Sequence, residues 1–201
     1  MLTATGLSCT RGERRLFAGL DLALGPGEWL HVQGENGSGK TSLLRMLATL
    51  SPPPEGEIHW KNTPVRELGE DYRRDMLFLG HHGAVKEELT PFENLMFAAQ
   101  LDGAPLDEFT AMQALARFGL RGRADLGVRF LSAGQKRRVL LARLAVRQAP
   151  LWILDEPFTA LDVKAVDMLS GLIEEHLAAQ GLVILTSHQS MPLPNGRILK
   201  L

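Results

Sequence analysis

The sequence predicts an α/β fold in which short apolar strands alternate with helices around a parallel sheet. The first observation is an apolar run at 28–33 followed by a glycine-rich loop and a helical pattern at 41–48. The second is that strand-length apolar runs recur late in the chain, each beside a segment of helical spacing. Continuous apolar strands of this kind are typical of a parallel sheet that is buried on both faces. The late segments are a helix from about 133, a strand at 151–154, a helix at 163–179 and a strand at 182–186.

The remaining segments predict two additions to this sheet. Residues 1–33 alternate apolar and polar side chains between turns, which indicates an antiparallel β-layer that leads into the loop. A short hairpin is expected at 58–65 and a buried strand at 76–79. Residues 91–118 carry apolar side chains at helical spacing and predict a helical unit.

Length and composition favour one compact domain. The 201 residues are 45% hydrophobic and carry a net charge of -1, so the chain can bury a good core and has no charge excess that points to nucleic acid. Cys9 is the only cysteine, which excludes an internal disulfide. The start of the chain lacks the pattern of a signal peptide, and no apolar run reaches the length of a membrane span. Any membrane role is therefore expected to depend on a partner.

One stretch predicts a phosphate-binding loop, because it matches the pattern GxxxxGK[ST]. Its glycines permit a turn that directs successive N–H groups at phosphate oxygens, and the helix that follows adds its positive end. Lys40 is then expected to reach the β- and γ-phosphates, and the Thr41 hydroxyl to bind Mg²⁺. The loop consists of Gly34, Glu35, Asn36, Gly37, Ser38, Gly39, Lys40 and Thr41.

Two acids follow the apolar strand at 151–154. A buried strand that ends in a carboxylate at the phosphate edge of a sheet predicts metal support, here by Asp155. Glu156 comes next and is expected to polarise the water that attacks the γ-phosphate. His188 follows the strand at 182–186 and should reach the same edge. His31, by contrast, lies in a strand pattern and is expected to be structural.

A third motif opens the helix near residue 133. Ser132 and Gly134 precede a basic, helical segment, so the serine hydroxyl, the glycine N–H and the helix end can together form an anion site. Alone, this pattern is also that of an ordinary helix cap. The motif consists of Leu131, Ser132, Ala133, Gly134 and Gln135.

With these motifs in this order, the chain resembles the ATP-binding cassette ATPases over nearly its whole length. The resemblance implies a P-loop NTPase with a RecA-like core, here 1–83 and 134–201 with the β-layer, and a helical subdomain at 84–133. It also implies ATP and Mg²⁺ as ligands, and a homodimer that holds each ATP between the phosphate loop of one copy and Ser132–Gln135 of the other. Glu156 and His188 would be the catalytic residues.

Three positions depart from the usual pattern of that family. Ala133 stands where glycine is usual, and its methyl group is expected to weaken phosphate contact modestly. No glutamine is present at 79–83, where the family has a metal-linking one, and His82 is our candidate for that role, with His81 close behind. The aromatic that commonly stacks on adenine is missing, so Arg11 is the expected replacement, as a cation on the purine face.

Within the family, the chain resembles the ATP-binding subunits of cytochrome c maturation systems. This resemblance implies integral membrane permease subunits as partners and a peripheral position at the cytoplasmic face of the inner membrane. It further implies that hydrolysis is tied to the release of a haem-loaded chaperone, with contact to the membrane subunits near 80–95. The stretches that carry it are Leu16–Leu20, Gly27–Trp29, Leu79–His82 with Lys86, Leu89–Leu95, Leu131–Arg138 and Leu151–Ala160.

Three other functions remain open from the sequence. The chain could serve a different transporter, which only its membrane partner would reveal. A cassette protein that acts on ribosomes or DNA would need a basic face, which the near-neutral charge disfavours. A small P-loop kinase is disfavoured by the motif at 131–135 and by the Asp155–Glu156 pair.

Overall fold

A computed structural model describes residues 1–80, 85–188 and 193–201. The described chain divides into two compact units: the first contains 1–78, 149–157 and 174–201, and the second contains 79–148 and 158–173. The elements are β1 (Leu2–Arg11), β2 (Arg14–Leu24), β3 (Trp29–Gln33), α1 (Lys40–Leu47), β4 (Glu55–Trp60), β5 (Thr63–Pro64), α2 (Val65–Leu68), α3 (Glu70–Asp75), β6 (Met76–Leu79), α4 (Pro91–Leu101), α5 (Glu108–Arg117), α6 (Ala133–Leu141), β7 (Leu151–Leu154), α7 (Val163–Ala178), β8 (Leu182–Thr186) and β9 (Arg197–Lys200).

A five-stranded sheet in the order β6-β7-β8-β3-β9 forms the centre of the first unit. The pairs that β8 makes with β3 and β7, and that β3 makes with β9, are all parallel. Both β7 and β8 are buried along their whole length, as their continuous apolar sequences predict. Because parallel strands all end at one edge, the residues that follow β3, β7 and β8 meet there.

The antiparallel layer is a four-stranded sheet in the order β2-β1-β4-β5. The hairpin between β4 and β5 turns at Lys61 and Asn62, which both have positive φ. A single hydrophobic core joins this layer to α1 and to the parallel strands, and Leu7, Leu43 and Ile184 are among its fully buried members. The Tyr72 hydroxyl donates to the Leu47 carbonyl at 2.7 Å within that core, and burial raises the pKa of Tyr72 far above its usual value.

The second unit is helical and has its own buried residues. Helices α4 and α5 contact each other, and α4 also contacts α6. Thr90 begins α4 with a capping box, in which its side chain accepts from the Glu93 N–H and the Glu93 side chain accepts from the Thr90 N–H. The subdomain predicted at 84–133 falls inside this unit, and its boundaries stay a prediction. The buried side chains include Leu95, Leu115, Phe118, Leu120, Val128, Leu140 and Leu141.

The sequence patterns missed three elements. β9 pairs with β3 although its four residues are mostly exposed, so its sequence carries no strand-like burial signal. The short helices α2 and α3 follow β5 in a stretch for which the sequence analysis predicted no element. In the described part of the chain, every helix is too short or too polar to cross a bilayer.

Candidate functional site

The predicted phosphate loop connects β3 to α1. Gly39 is the N-cap of α1 and has φ of 107°, a conformation that side chains rarely adopt. A Cβ at this position would also lie 3.1 Å from the Phe17 ring. Both constraints make glycine necessary at position 39, as the pattern predicted.

The Lys40 side chain is held in place by backbone carbonyl groups of the phosphate loop. Its ammonium group donates to the Gly34 carbonyl at 2.7 Å and to the Glu35 carbonyl at 3.0 Å, and the residue is 8% exposed. This charge is therefore held beside the loop at a place where phosphate oxygens can reach it. Such a pre-positioned cation suits a polyphosphate ligand.

Thr41 and Asp155 are brought together although they are 114 residues apart in sequence. The Thr41 hydroxyl donates to Asp155 Oδ2 at 2.9 Å, and Asp155 is buried at 2% exposure. One hydroxyl and one carboxylate are hard oxygen donors that fit Mg²⁺, which binds proteins through one or two such groups and fills its other positions with water and phosphate. Across the described ranges, no group of three or more His, Cys, Asp or Glu side chains forms an all-protein metal cage.

Glu156 and His188 are in direct contact. His188 Nε2 lies 2.7 Å from Glu156 Oε1, and the side chains are 47% and 17% exposed. Glu156 has φ of 51°, an uncommon backbone conformation for a residue other than glycine, directly after the end of β7. The two residues predicted to be catalytic thus lie together at the strand ends.

Thr186 is a member of this site that the sequence analysis missed. Its hydroxyl donates to Asp155 Oδ1 at 2.7 Å and accepts from the Glu156 N–H at 2.9 Å, so one atom fixes both acids. The signal was a threonine at the end of the apolar run 182–186, in the strand next to the one that ends before Asp155. Thr186 is fully buried, and a buried hydroxyl group is expected to have hydrogen-bond partners.

We expect Thr186→Val to destabilise the fold by about 1–3 kcal/mol and to lower ATP turnover. Valine keeps the shape but removes one donor to a buried carboxylate and the acceptor of the Glu156 N–H. Denaturant unfolding and steady-state hydrolysis measure the two effects. Thr186→Ser keeps the hydroxyl and is the matched control. A valine variant as stable and active as the serine variant would contradict the role given to this hydroxyl.

A cavity of about 210 Å³ lies between the phosphate loop and the Glu156–His188 pair. The exposed Arg11 lies on its wall, and its contact with a purine stays a prediction. Leu16 lies there too and offers an apolar contact that the sequence analysis did not select. The lining residues are Arg11, Leu16, Asn36, Gly37, Gly39, Lys40, Thr41, Ser42, Glu156 and His188.

The motif at 131–135 lies in the second unit, where it begins α6. Ser132 and Gln135 form a capping box: Ser132 Oγ accepts from the Gln135 N–H at 3.3 Å, and Gln135 Oε1 accepts from the Ser132 N–H at 3.0 Å. The serine hydroxyl keeps its own proton for donation to a ligand. A Cβ on Gly134 would lie 2.8 Å from the Ala160 carbonyl oxygen, so that position requires glycine for packing within its own unit.

Two predicted residues have no structural description. His82, the candidate metal ligand, and its neighbour His81 lie outside the described residues. The first unit brings together the phosphate loop, Arg11, Asp155, Glu156 and His188, while Ser132, Ala133, Gly134 and Gln135 belong to the second unit.

The family model for ABC transporters matches residues 17–159, which include the phosphate loop, the motif at 131–135 and both acids. The chain belongs to the ABC transporter family. This cassette is 56% identical over 201 residues to the Cytochrome c biogenesis ATP-binding export protein CcmA of Dechloromonas aromatica. The alignment covers 100% of this chain and 98% of that relative.

Solved structures show the same cassette fold. An ABC transporter ATP-binding protein from Pyrococcus furiosus superimposes with a TM-score of 0.86 at 25% identity, over 100% of this chain and 96% of that one. A dimeric bacterial ABC transporter cassette superimposes with a TM-score of 0.80 at 25% identity, over 94% of this chain and 88% of that one. The predicted P-loop α/β fold is confirmed.

Proposed function

We propose that this chain is the ATP-binding and ATP-hydrolysing subunit of an ABC transporter complex of cytochrome c maturation. The observation that carries the chemistry is the convergence of Lys40, Thr41, Asp155, Glu156 and His188 on the ends of adjacent strands. The full-length relationship to export proteins of cytochrome c biogenesis supports the cellular role.

ATP is the substrate that these groups fit. The N–H groups of the loop and the ammonium of Lys40 would bind the β- and γ-phosphates, and Arg11 and Leu16 would contact the base. Thr41 and Asp155 would hold Mg²⁺, which when bound neutralises charge on the phosphate oxygens. His82 is the further ligand that we propose.

Hydrolysis would use the Glu156–His188 pair. The Glu156 carboxylate would orient a water molecule and accept its proton as the water oxygen bonds to the γ-phosphorus. The bond from that phosphorus to the β–γ bridging oxygen breaks, which leaves ADP and inorganic phosphate. His188 would contact the γ-phosphate and keep Glu156 in position through the contact seen at 2.7 Å.

A homodimer would complete each site. Ser132, Ala133, Gly134 and Gln135 would bind the ATP held by the loop of the second copy, and the dimeric cassette structure supports this arrangement. The Ala133 methyl group would weaken that contact modestly. No role in nucleic-acid binding is proposed, since the net charge is -1.

The cassette would work at the cytoplasmic face of the inner membrane as a peripheral subunit. Integral permease subunits would contact the cassette near residues 80–95. Closure of the dimer would be transmitted to them there and would drive haem handling or release of a haem-loaded chaperone. The export function in the name of the relative from Dechloromonas aromatica supports this assignment.

The test is to purify tagged Glu156→Gln protein from membranes with ATP present and to identify the integral proteins that accompany it. We expect permease subunits of cytochrome c maturation, and far less of them when ATP is omitted as the control. The absorbance spectrum shows whether haem is present. Copurification of a different permease would leave the ATPase chemistry intact and move the chain to another transporter.

A further inference from the structure

His31 is a buried imidazole that the proposed mechanism does not use. It lies on β3 with 4% exposure, and its ring stacks on that of Trp29 at a centroid distance of 6.3 Å. In the parallel pairing of β3 with β8, His31 is opposite Leu185. Its Nε2 atom lies 3.2 Å from the carbonyl oxygen of Ser187, the first residue after the C-terminal end of β8.

The hydrogen bonds on both ring nitrogens define which tautomer this imidazole adopts. A carbonyl oxygen only accepts, so His31 Nε2 must carry the proton that it donates to Ser187. The side-chain amide of Gln33 lies 3.1 Å from Nδ1, which as a bare nitrogen accepts the amide N–H. Burial lowers the pKa of His31, and the hydrogen bond to Ser187 opposes that shift only in part, which agrees with a neutral ring.

The bonded oxygen belongs to the peptide group that leads into His188. The regular pairing of β3 and β8 ends at Val32 and Thr186, so Ser187 and His188 lie just beyond the ladder. Since the Ser187 carbonyl and the His188 nitrogen share one planar peptide, a bond to that oxygen fixes the plane from which His188 extends. The side chain of His188 is half exposed and lies 2.7 Å from Glu156, so the orientation of this peptide affects that contact.

We propose that His31 is a positioning residue that holds the Ser187–His188 peptide, and through it the contact of His188 with Glu156. Gln33 supports this role: its amide N–H donates to His31 Nδ1 and so favours the tautomer that is protonated on Nε2 and can donate to Ser187. The inference rests on the proposed role of His188 in hydrolysis and adds a residue from the strand that precedes the phosphate loop.

The experiment compares His31→Leu with His31→Gln in the full chain. Glutamine carries an N–H at the same position along the side chain as Nε2, and leucine carries none. We expect leucine to lower kcat for ATP hydrolysis about 5- to 10-fold with the KM for ATP changed less than 2-fold, because one hydrogen bond is lost away from the nucleotide. Glutamine should restore at least half of the wild-type kcat.

A double variant separates positioning from packing. If His31 acts through His188, His31→Leu should lower kcat no further in a His188→Ala background. An unchanged kcat in His31→Leu, failure of glutamine to restore it, or the full loss again in the His188→Ala background would each overturn the inference. A wild-type protein without ATP turnover would instead refute the proposed function.

One measurement needs no variant. The ¹⁵N NMR spectrum of the imidazoles in the wild-type protein should show His31 as the neutral tautomer protonated on Nε2. A ring protonated on Nδ1 alone cannot donate to the Ser187 carbonyl, and its observation would overturn the inference even if the leucine variant failed to fold.

Discussion

Glu156→Gln is expected to reduce ATP hydrolysis by about 10²- to 10⁴-fold, the range typical for loss of a general base, while ATP still binds. Glutamine has nearly the same shape and can still accept from His188 Nε2 through its amide oxygen, so the contact at 2.7 Å can persist. It cannot take a proton from water. Bound ATP should therefore persist, and size-exclusion chromatography with ATP should show a dimer, whereas the wild-type protein should dimerise only transiently.

His188→Ala is the companion variant for this test. It leaves the carboxylate but removes both the contact that orients it and the proposed contact with the γ-phosphate, so turnover should fall and less ATP-bound dimer should accumulate than with Glu156→Gln. The mechanism would be wrong if Glu156→Gln hydrolysed ATP at the wild-type rate and gave no dimer with ATP.

Asp155→Asn is expected to lower Mg²⁺-dependent ATP turnover by about 100-fold or more, with little change in the free energy of unfolding. The carboxylate accepts from the hydroxyls of Thr41 and Thr186 in the described structure. An asparagine can keep one of these bonds with its oxygen and can donate its N–H to the other hydroxyl oxygen. The charge proposed to support Mg²⁺ is lost, while the buried hydrogen bonds are largely retained.

Asp155→Ala provides the contrast for this prediction. It removes the same charge but leaves two buried hydroxyls with fewer partners and opens a cavity, so it should lower both activity and stability, the latter by about 1–3 kcal/mol or more. Chemical denaturation and a Mg²⁺ titration of ATP hydrolysis measure both quantities. An asparagine variant with normal turnover at ordinary Mg²⁺ concentration would exclude the metal role of Asp155.

Local patterns predicted much of the fold because each depends on neighbours in sequence. The continuous apolar runs at 151–154 and 182–186 are fully buried strands, and the helix expected at 163–179 is α7. β9 could not be predicted in this way, since its exposed residues are ordered by hydrogen bonds to β3 from a distant part of the chain.

The sequence by itself determined the chemical groups of this protein: the phosphate loop at 34–41, the acids Asp155 and Glu156, and His188. Motif spacing sufficed for the loop because backbone geometry and residue type define it locally, and the two acids and His188 were predicted from the apolar strands that precede them. Only the tertiary structure decided what supports them. Thr186 joins Asp155 to Glu156, and His31 meets Ser187, because parallel pairing brings the ends of β3, β7 and β8 together, a register that no single strand encodes.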